Sequence, residues 1–170
     1  MLHTDFDTTK IENVAREITP EELEQYNVEE TLGYLSTVFS ILIKRKFNKL
    51  LKEGSFELSP EQFVVLATLN WNGPMSLSEM ANKTYKDNAN VTRMVDLMEK
   101  KQLVARERNE EDRRAIRLVL TNHGKKTFKE TLAHVMELKS MYSPGLTEDH
   151  LVKLKNMLET MIDNMLKAES

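Results

Sequence analysis

Cysteine is absent from the sequence, which excludes disulfides, thiol nucleophiles and cysteine-based redox sensing. Helix breakers are scarce, with five glycines and four prolines in 170 residues, and that composition favours helices. No apolar run approaches 18 residues, so no stretch reads as a membrane span. The opening residues, MLHTDFDTTK, lack the basic and apolar regions of a secretory signal. A reducing, cytoplasmic location is the expectation. Neither a Gly-rich phosphate loop nor a nucleophile elbow is present. The four histidines, His3, His123, His134 and His150, have no ligand spacing and read as surface or capping residues. The acid pairs Glu21-Glu22 and Glu29-Glu30 fall at helix starts, where the helix dipole accounts for them. No metal, no cofactor and no enzymatic activity are therefore expected.

What is present suits one globular domain with a real core: 40% apolar and 30% charged residues. The net charge of −3 conceals a division. Residues 83–126 hold 12 Lys and Arg against 7 Asp and Glu, a net of +5, and the remainder carries −8. A basic block on an acidic body suggests a polyanion-binding face. A solvated, salt-bridged surface is the competing reading, and on charge alone it is the stronger one.

Residues 1–18 read as a lead-in of low hydrophobicity. Thr19, Pro20 and Glu22 are expected to cap a short helix, and Asn27 with Glu30 offers a second start. Leu32, Leu35, Phe39, Leu42, Ile43, Leu50 and Leu51 carry a helical stripe to a stop at Gly54. Ser59-Pro60-Glu61-Gln62 is a capping box whose helix runs through Phe63, Leu66 and Leu69 towards Gly73-Pro74. Ser76 and Glu79 form another box, opening a short helix. Asp87 caps the next one, in which Val91, Met94, Val95 and Met98 face a core. Its other side presents Asn88, Ala89, Asn90, Thr92, Arg93 and Asp96. Two helices joined by a short turn, the second with a polar outward face, make a helix-turn-helix.

The segments LVARER and RRAIRLVL then read as two short strands with NEED as their turn. A hairpin directly after a helix-turn-helix is a wing. Thr121 caps a helix towards Pro144-Gly145. Thr147 caps the last, where Leu151, Leu154, Leu158, Met161 and Met165 form a seam wide enough for a partner helix. At the hairpin tip, NEEDRR gathers like charges. An arginine there can reach into a narrow minor groove, whose concentrated negative potential attracts a guanidinium. The alternative is a charged hairpin end that only blocks strand-to-strand aggregation. Helix-turn-helix and basic block together favour the DNA reading.

The run VTRMVDLMEKKQLVARERNEEDRRAIRLVLTNHGKK resembles the core of the multiple antibiotic resistance regulator (MarR) family. The likeness rests on Thr92-Arg93, Asp96, Glu99-Lys100-Lys101, Leu103-Val104, Arg106, Asp112-Arg113-Arg114, Leu120-Thr121 and Gly124, and Gly145-Leu146-Thr147 matches where that family starts its last helix. It covers residues 28–168 and leaves 1–27 as an N-terminal extension. The resemblance implies a mainly α fold with a small β-hairpin (α+β). Its winged helix-turn-helix would span about 59–120, with dimerisation helices at about 28–53, 122–142 and 148–167. It implies a homodimer that places one recognition helix, residues 88–101, in the major groove from each subunit. Arg114 would enter the minor groove, oriented by Asp112, with Arg113 as a backbone contact or a strut. One residue departs from the pattern: Gln102 stands where the family usually has glycine. A left-handed backbone there would cost a non-glycine residue roughly 1–2 kcal/mol.

The expected function is a sequence-specific, DNA-binding transcriptional regulator, a repressor acting on a palindromic operator. Phosphate contacts are expected from Lys83, Lys86, Arg93, Lys100 and the wing, with Ser76 and Thr92 adding to them. Base reading falls to Asn88, Ala89, Asn90 and Arg93, since asparagine suits adenine and arginine suits guanine. In this family small effectors, often aromatic, bind between the dimer helices and the DNA-binding lobe. Tyr34, Phe39, Phe47, Phe63 and Trp71 are the candidate lining, with core packing as the competing role for each. The other functional reading keeps the fold as a helical dimer that binds proteins instead of DNA.

Overall fold

The computed structural model describes residues 19–108 and 116–168. The chain divides into two compact units, Met1–Ile41 and Leu42–Ser170. In the first, Thr19 and Glu22 form a reciprocal capping box, with Pro20 opening α1 (Pro20–Gln25). Asn27 caps only a 3-10 turn, Val28–Glu30. The long helix α2 (Leu32–Glu53) starts later, where the Thr31 hydroxyl accepts from the Tyr34 N–H at 3.2 Å. Among the described residues, none of the buried core belongs to this unit. Helix α2 continues into the second unit, where Phe47, Leu50 and Leu51 are buried.

The second unit holds the core. Ser59 and Gln62 form the predicted box at the start of α3 (Pro60–Asn72), Ser76 and Glu79 that of α4 (Leu77–Thr84), and Asp87 caps α5 (Asn88–Lys100). Each cap satisfies backbone N–H groups that the helix itself cannot. Strand β1 (Val104–Arg108) pairs antiparallel with β2 (Ile116–Leu120), in register from Val104↔Leu120 to Arg108↔Ile116. Met75 adds a bridge to Leu118, so the segment before α4 is sewn to the hairpin. Helices α6 (Asn122–Tyr142) and α7 (Glu148–Ala168) follow, capped by Thr121 and Thr147. This order of two helices, a turn and a hairpin is the expected winged helix-turn-helix, within a mainly α fold.

Val65 and Leu66 of α3, Met80 of α4, Val91, Val95 and Met98 of α5, and Leu118 of β2 are among the innermost residues. Full burial of such side chains contributes about 1.5–3 kcal/mol each. Phe47 meets Phe63 edge-on at 5.3 Å, Phe63 stacks on Phe128 at 5.6 Å, and Trp71 meets Phe128 edge-on at 5.2 Å. This ring series ties α2, α3 and α6 together. Thr131 of α6 is wholly buried, and its hydroxyl has no hydrogen-bond partner among the described residues.

Three helices end in the same device. After α2, α4 and α5 the chain turns through a left-handed residue, Ser55 (φ 58°), Tyr85 (φ 51°) and Gln102 (φ 55°). In each, the next N–H reaches back to a carbonyl five residues earlier, as from Leu103 to Met98 at 2.9 Å. Helix α2 stops before Gly54 as expected, and the left-handed residue that follows is Ser55. Gly54 serves close approach: a Cβ there would lie 2.6 Å from the Phe56 ring. Gly124 is more tightly placed, since its Cβ would fall 1.9 Å from the Leu103 carbonyl oxygen. The first turn of α6 therefore rests directly on the backbone that leaves α5.

Candidate nucleic-acid interface

Helix α5 is fixed by its buried side. With Val91, Val95 and Met98 at zero exposure, the opposite side must face outward. Asn88, Ala89, Asn90 and Arg93 are exposed there, and Thr92 and Asp96 are half-buried. Their side chains are partly committed. The Asp87 carboxylate accepts from the Asn90 N–H at 2.7 Å and also from the Asn90 amide. The Asn90 carbonyl oxygen accepts from Arg93 at 3.3 Å, and the same guanidinium donates to the Ala89 carbonyl at 3.3 Å. The Thr92 hydroxyl donates to the Asn88 carbonyl at 2.7 Å. Both polar ends of Asn90 are therefore engaged within the helix, whereas the side chain of Asn88 is in none of these bonds.

Lys83, Lys86 and Lys100 are exposed around this helix. Lys86 and Lys100 form no ion pair among the described residues. Ser76 is less available than expected: its hydroxyl accepts from the Glu79 N–H and donates to the Glu79 carboxylate at 2.8 Å. Those cap bonds to Ser76 hold Glu79 below its ordinary carboxylate range. The bond from the Asn90 N–H does the same for Asp87. Asp112, Arg113 and Arg114 lie outside the described residues.

Arg106 of β1 is a contact that the sequence reading quoted without a role. Its guanidinium pairs with Asp96 at 2.7 Å and with Glu99, and its N–H donates to Glu99 at 3.0 Å. Two acids three residues apart on α5 thus grip the strand that leads to the hairpin tip.

The aromatic candidates separate. Phe47 and Phe63 are core residues, 6% and 8% exposed, and Trp71 is exposed against Phe128. Tyr34 and Phe39 belong to the first unit. Neither of two surface clefts at the ends of α5 and α6 is lined by any of the five; the larger, about 600 Å³, is bounded by Phe56, Lys100, Lys101, His123 and Thr127. Among the described residues no cluster of His, Asp and Glu is arranged to hold a metal ion. No described helix is long and apolar enough to cross a membrane.

Residues 58–116, which span the helix-turn-helix and β1, match the model of the MarR family. The chain is also 34% identical over 119 residues to the HTH-type transcriptional repressor MdtR of Bacillus subtilis (strain 168), covering 70% of this chain and 75% of MdtR. The chain belongs to the MarR family. The resemblance carried by residues 91–126 holds, and the protein is a winged-helix transcriptional regulator rather than an enzyme. Two solved structures are similar over most of its length. One is Bordetella bronchiseptica BpsR, whose DNA binding is regulated by 6-hydroxynicotinic acid. It is 25% identical with a TM-score of 0.73, covering 81% of this chain and 97% of BpsR. The other is the transcriptional repressor CouR bound to a 23-mer DNA duplex. It is 27% identical with a TM-score of 0.71, covering 86% of this chain and 99% of CouR.

Proposed function

We propose that this MarR-family protein is a homodimeric repressor that reads a palindromic operator through α5 and the hairpin. The carrying observation is the two-sided character of α5, in which a wholly buried apolar side holds a polar, arginine-bearing side outward. MdtR and CouR, both repressors, support the sign of regulation, and the CouR complex supports the duplex as target. Asn88, Ala89, Asn90 and Arg93 are the base-reading residues, all exposed on the outward side of α5. Lys83, Lys86 and Lys100 contact phosphates. Arg114 probes the minor groove, with Asp112 orienting it and Arg113 on the backbone. The second copy covers the apolar side of α7. Release by a small ligand is the part of this reading that rests on likeness to BpsR.

Titration against duplex DNA at two salt concentrations tests the reading. Affinity should fall steeply with salt as lysines and arginines displace counterions. Arg93→Ala should cost about 1–3 kcal/mol and relax preference at one position of each half-site. Absence of salt-sensitive binding would favour the alternative, a helical dimer that binds proteins.

A further inference from the structure

Of the three described non-glycine residues with left-handed backbone, Ser55 and Gln102 have small or flexible polar side chains. Tyr85 is bulky, and a bulky residue in this region is a true outlier. Glycine would adopt the same conformation without penalty. The backbone itself is well bonded, with the Tyr85 N–H donating to Asn82 and the Lys86 N–H to Ala81. Packing does not compensate for the strain, since Tyr85 is 68% exposed. Its phenol hydroxyl has no partner among the described residues. The strain therefore holds a rigid aromatic arm in solvent. Its place is specific: the turn between α4 and α5, between Lys83 and Lys86 and two residues before Asp87. A strained residue that gains nothing within its own fold points to a contact outside it.

We propose that Tyr85 is a phosphate-contacting residue of the DNA interface, its hydroxyl donating to a backbone phosphate oxygen at the edge of the groove that α5 enters. The inference rests on the proposed DNA-binding function. Tyrosine is among the side chains that hydrogen-bond DNA phosphates, and with two χ angles it loses little freedom on binding. A phenol O–H carries no charge, so its contact releases no counterions, unlike that of the neighbouring lysines.

The test titrates a random-sequence pool of duplexes, 23 bp long as in the CouR complex, across a salt series. The parent, Tyr85→Phe, Tyr85→Gly and Lys86→Ala are compared. Tyr85→Phe should bind roughly five- to tenfold more weakly at every salt concentration, with the parent's salt slope. Lys86→Ala should instead lower that slope by about one. Tyr85→Gly should bind as weakly as the phenylalanine variant yet melt at a higher temperature than the parent, because the left-handed penalty is gone. A purely structural tyrosine would give the higher melting temperature with affinity intact, and that result overturns the proposal. So does a Tyr85→Phe protein that binds like the parent or changes the salt slope. If the parent shows no salt-sensitive binding, the DNA-binding function fails and takes this contact with it, an outcome separable from loss confined to the tyrosine variants.

Discussion

Helices α5 and α7 are both amphipathic, yet they end differently. Helix α5 hides Val91, Val95 and Met98 completely, whereas no residue of α7 is buried and Leu154, Met157, Leu158, Ile162 and Met165 remain exposed. The first unit resembles α7 in this respect, with Leu32, Leu35 and Phe39 exposed on α2. The spacing of apolar residues says that a helix needs a partner; it does not say whose. For α5 the partners are the chain's own α4 and hairpin. For α7 no described residue is buried, and under the proposed assembly its cover comes from a second copy. Under the proposed function, the lobe that docks on DNA thus has its own core, and the exposed apolar side of α7 is what the second copy covers.

The difference can be broken from the α7 side first. Leu154→Glu with Leu158→Glu should abolish self-association, since each glutamate buried unpaired costs roughly 3–5 kcal/mol. Helical content and the melting of the winged lobe should change little. Sedimentation equilibrium with circular dichroism checks both, and a folded dimer of the double variant would place the interface elsewhere.

Breaking the lobe requires a different residue. Gly124→Ala drives a methyl group into the Leu103 carbonyl, and relieving that clash should cost about 2–4 kcal/mol. Denaturant unfolding should show a lower midpoint with an unchanged slope. A parent-like midpoint would mean that α6 does not rest on the Leu103 backbone as described.

Smaller changes sharpen the picture. Thr131→Val removes a buried hydroxyl that has no partner among the described residues and should stabilise the lobe by about 1 kcal/mol. Any loss of stability would show that the hydroxyl is bonded after all. Acid acts on the helix caps. Asp87 and Glu79 are held below their ordinary values of 3.8 and 4.5, so the folded state favours their charged forms. Their stabilising contribution is complete above those values and is lost as pH falls through the depressed ones. Melting temperature should therefore decline below about pH 4.5. Asp87→Asn, which still caps, should flatten that decline. An unaltered acid limb in the variant would remove Asp87 from the account.

Local signals explain what was legible. Caps at Thr19, Ser59, Ser76, Asp87, Thr121 and Thr147 are all present, because a cap is settled within four residues. The buried side of α5 was equally clear from its spacing. Contacts between distant segments were not. The grip of Asp96 and Glu99 on Arg106, and the seat of Gly124 on Leu103, join residues that only the fold brings together. The left-handed Gln102 fits the strain foreseen for a non-glycine there. Its compensation, the Thr121 hydroxyl donating to the Gln102 carbonyl, spans 19 residues and had no local sign. The bond of the Asn90 amide to the cap aspartate three residues before it is local, yet the spacing of the apolar residues gives no sign of it.

The central claim is that two copies of one recognition helix read DNA symmetrically. Selection of bound duplexes from a random pool tests it most directly. The account predicts enrichment of an inverted repeat whose half-site centres lie about 10 bp apart, one helical turn. Arg93→Ala should relax one position in each half-site and leave the spacing unchanged. Enrichment of a single asymmetric site, or of no motif at all, would contradict it.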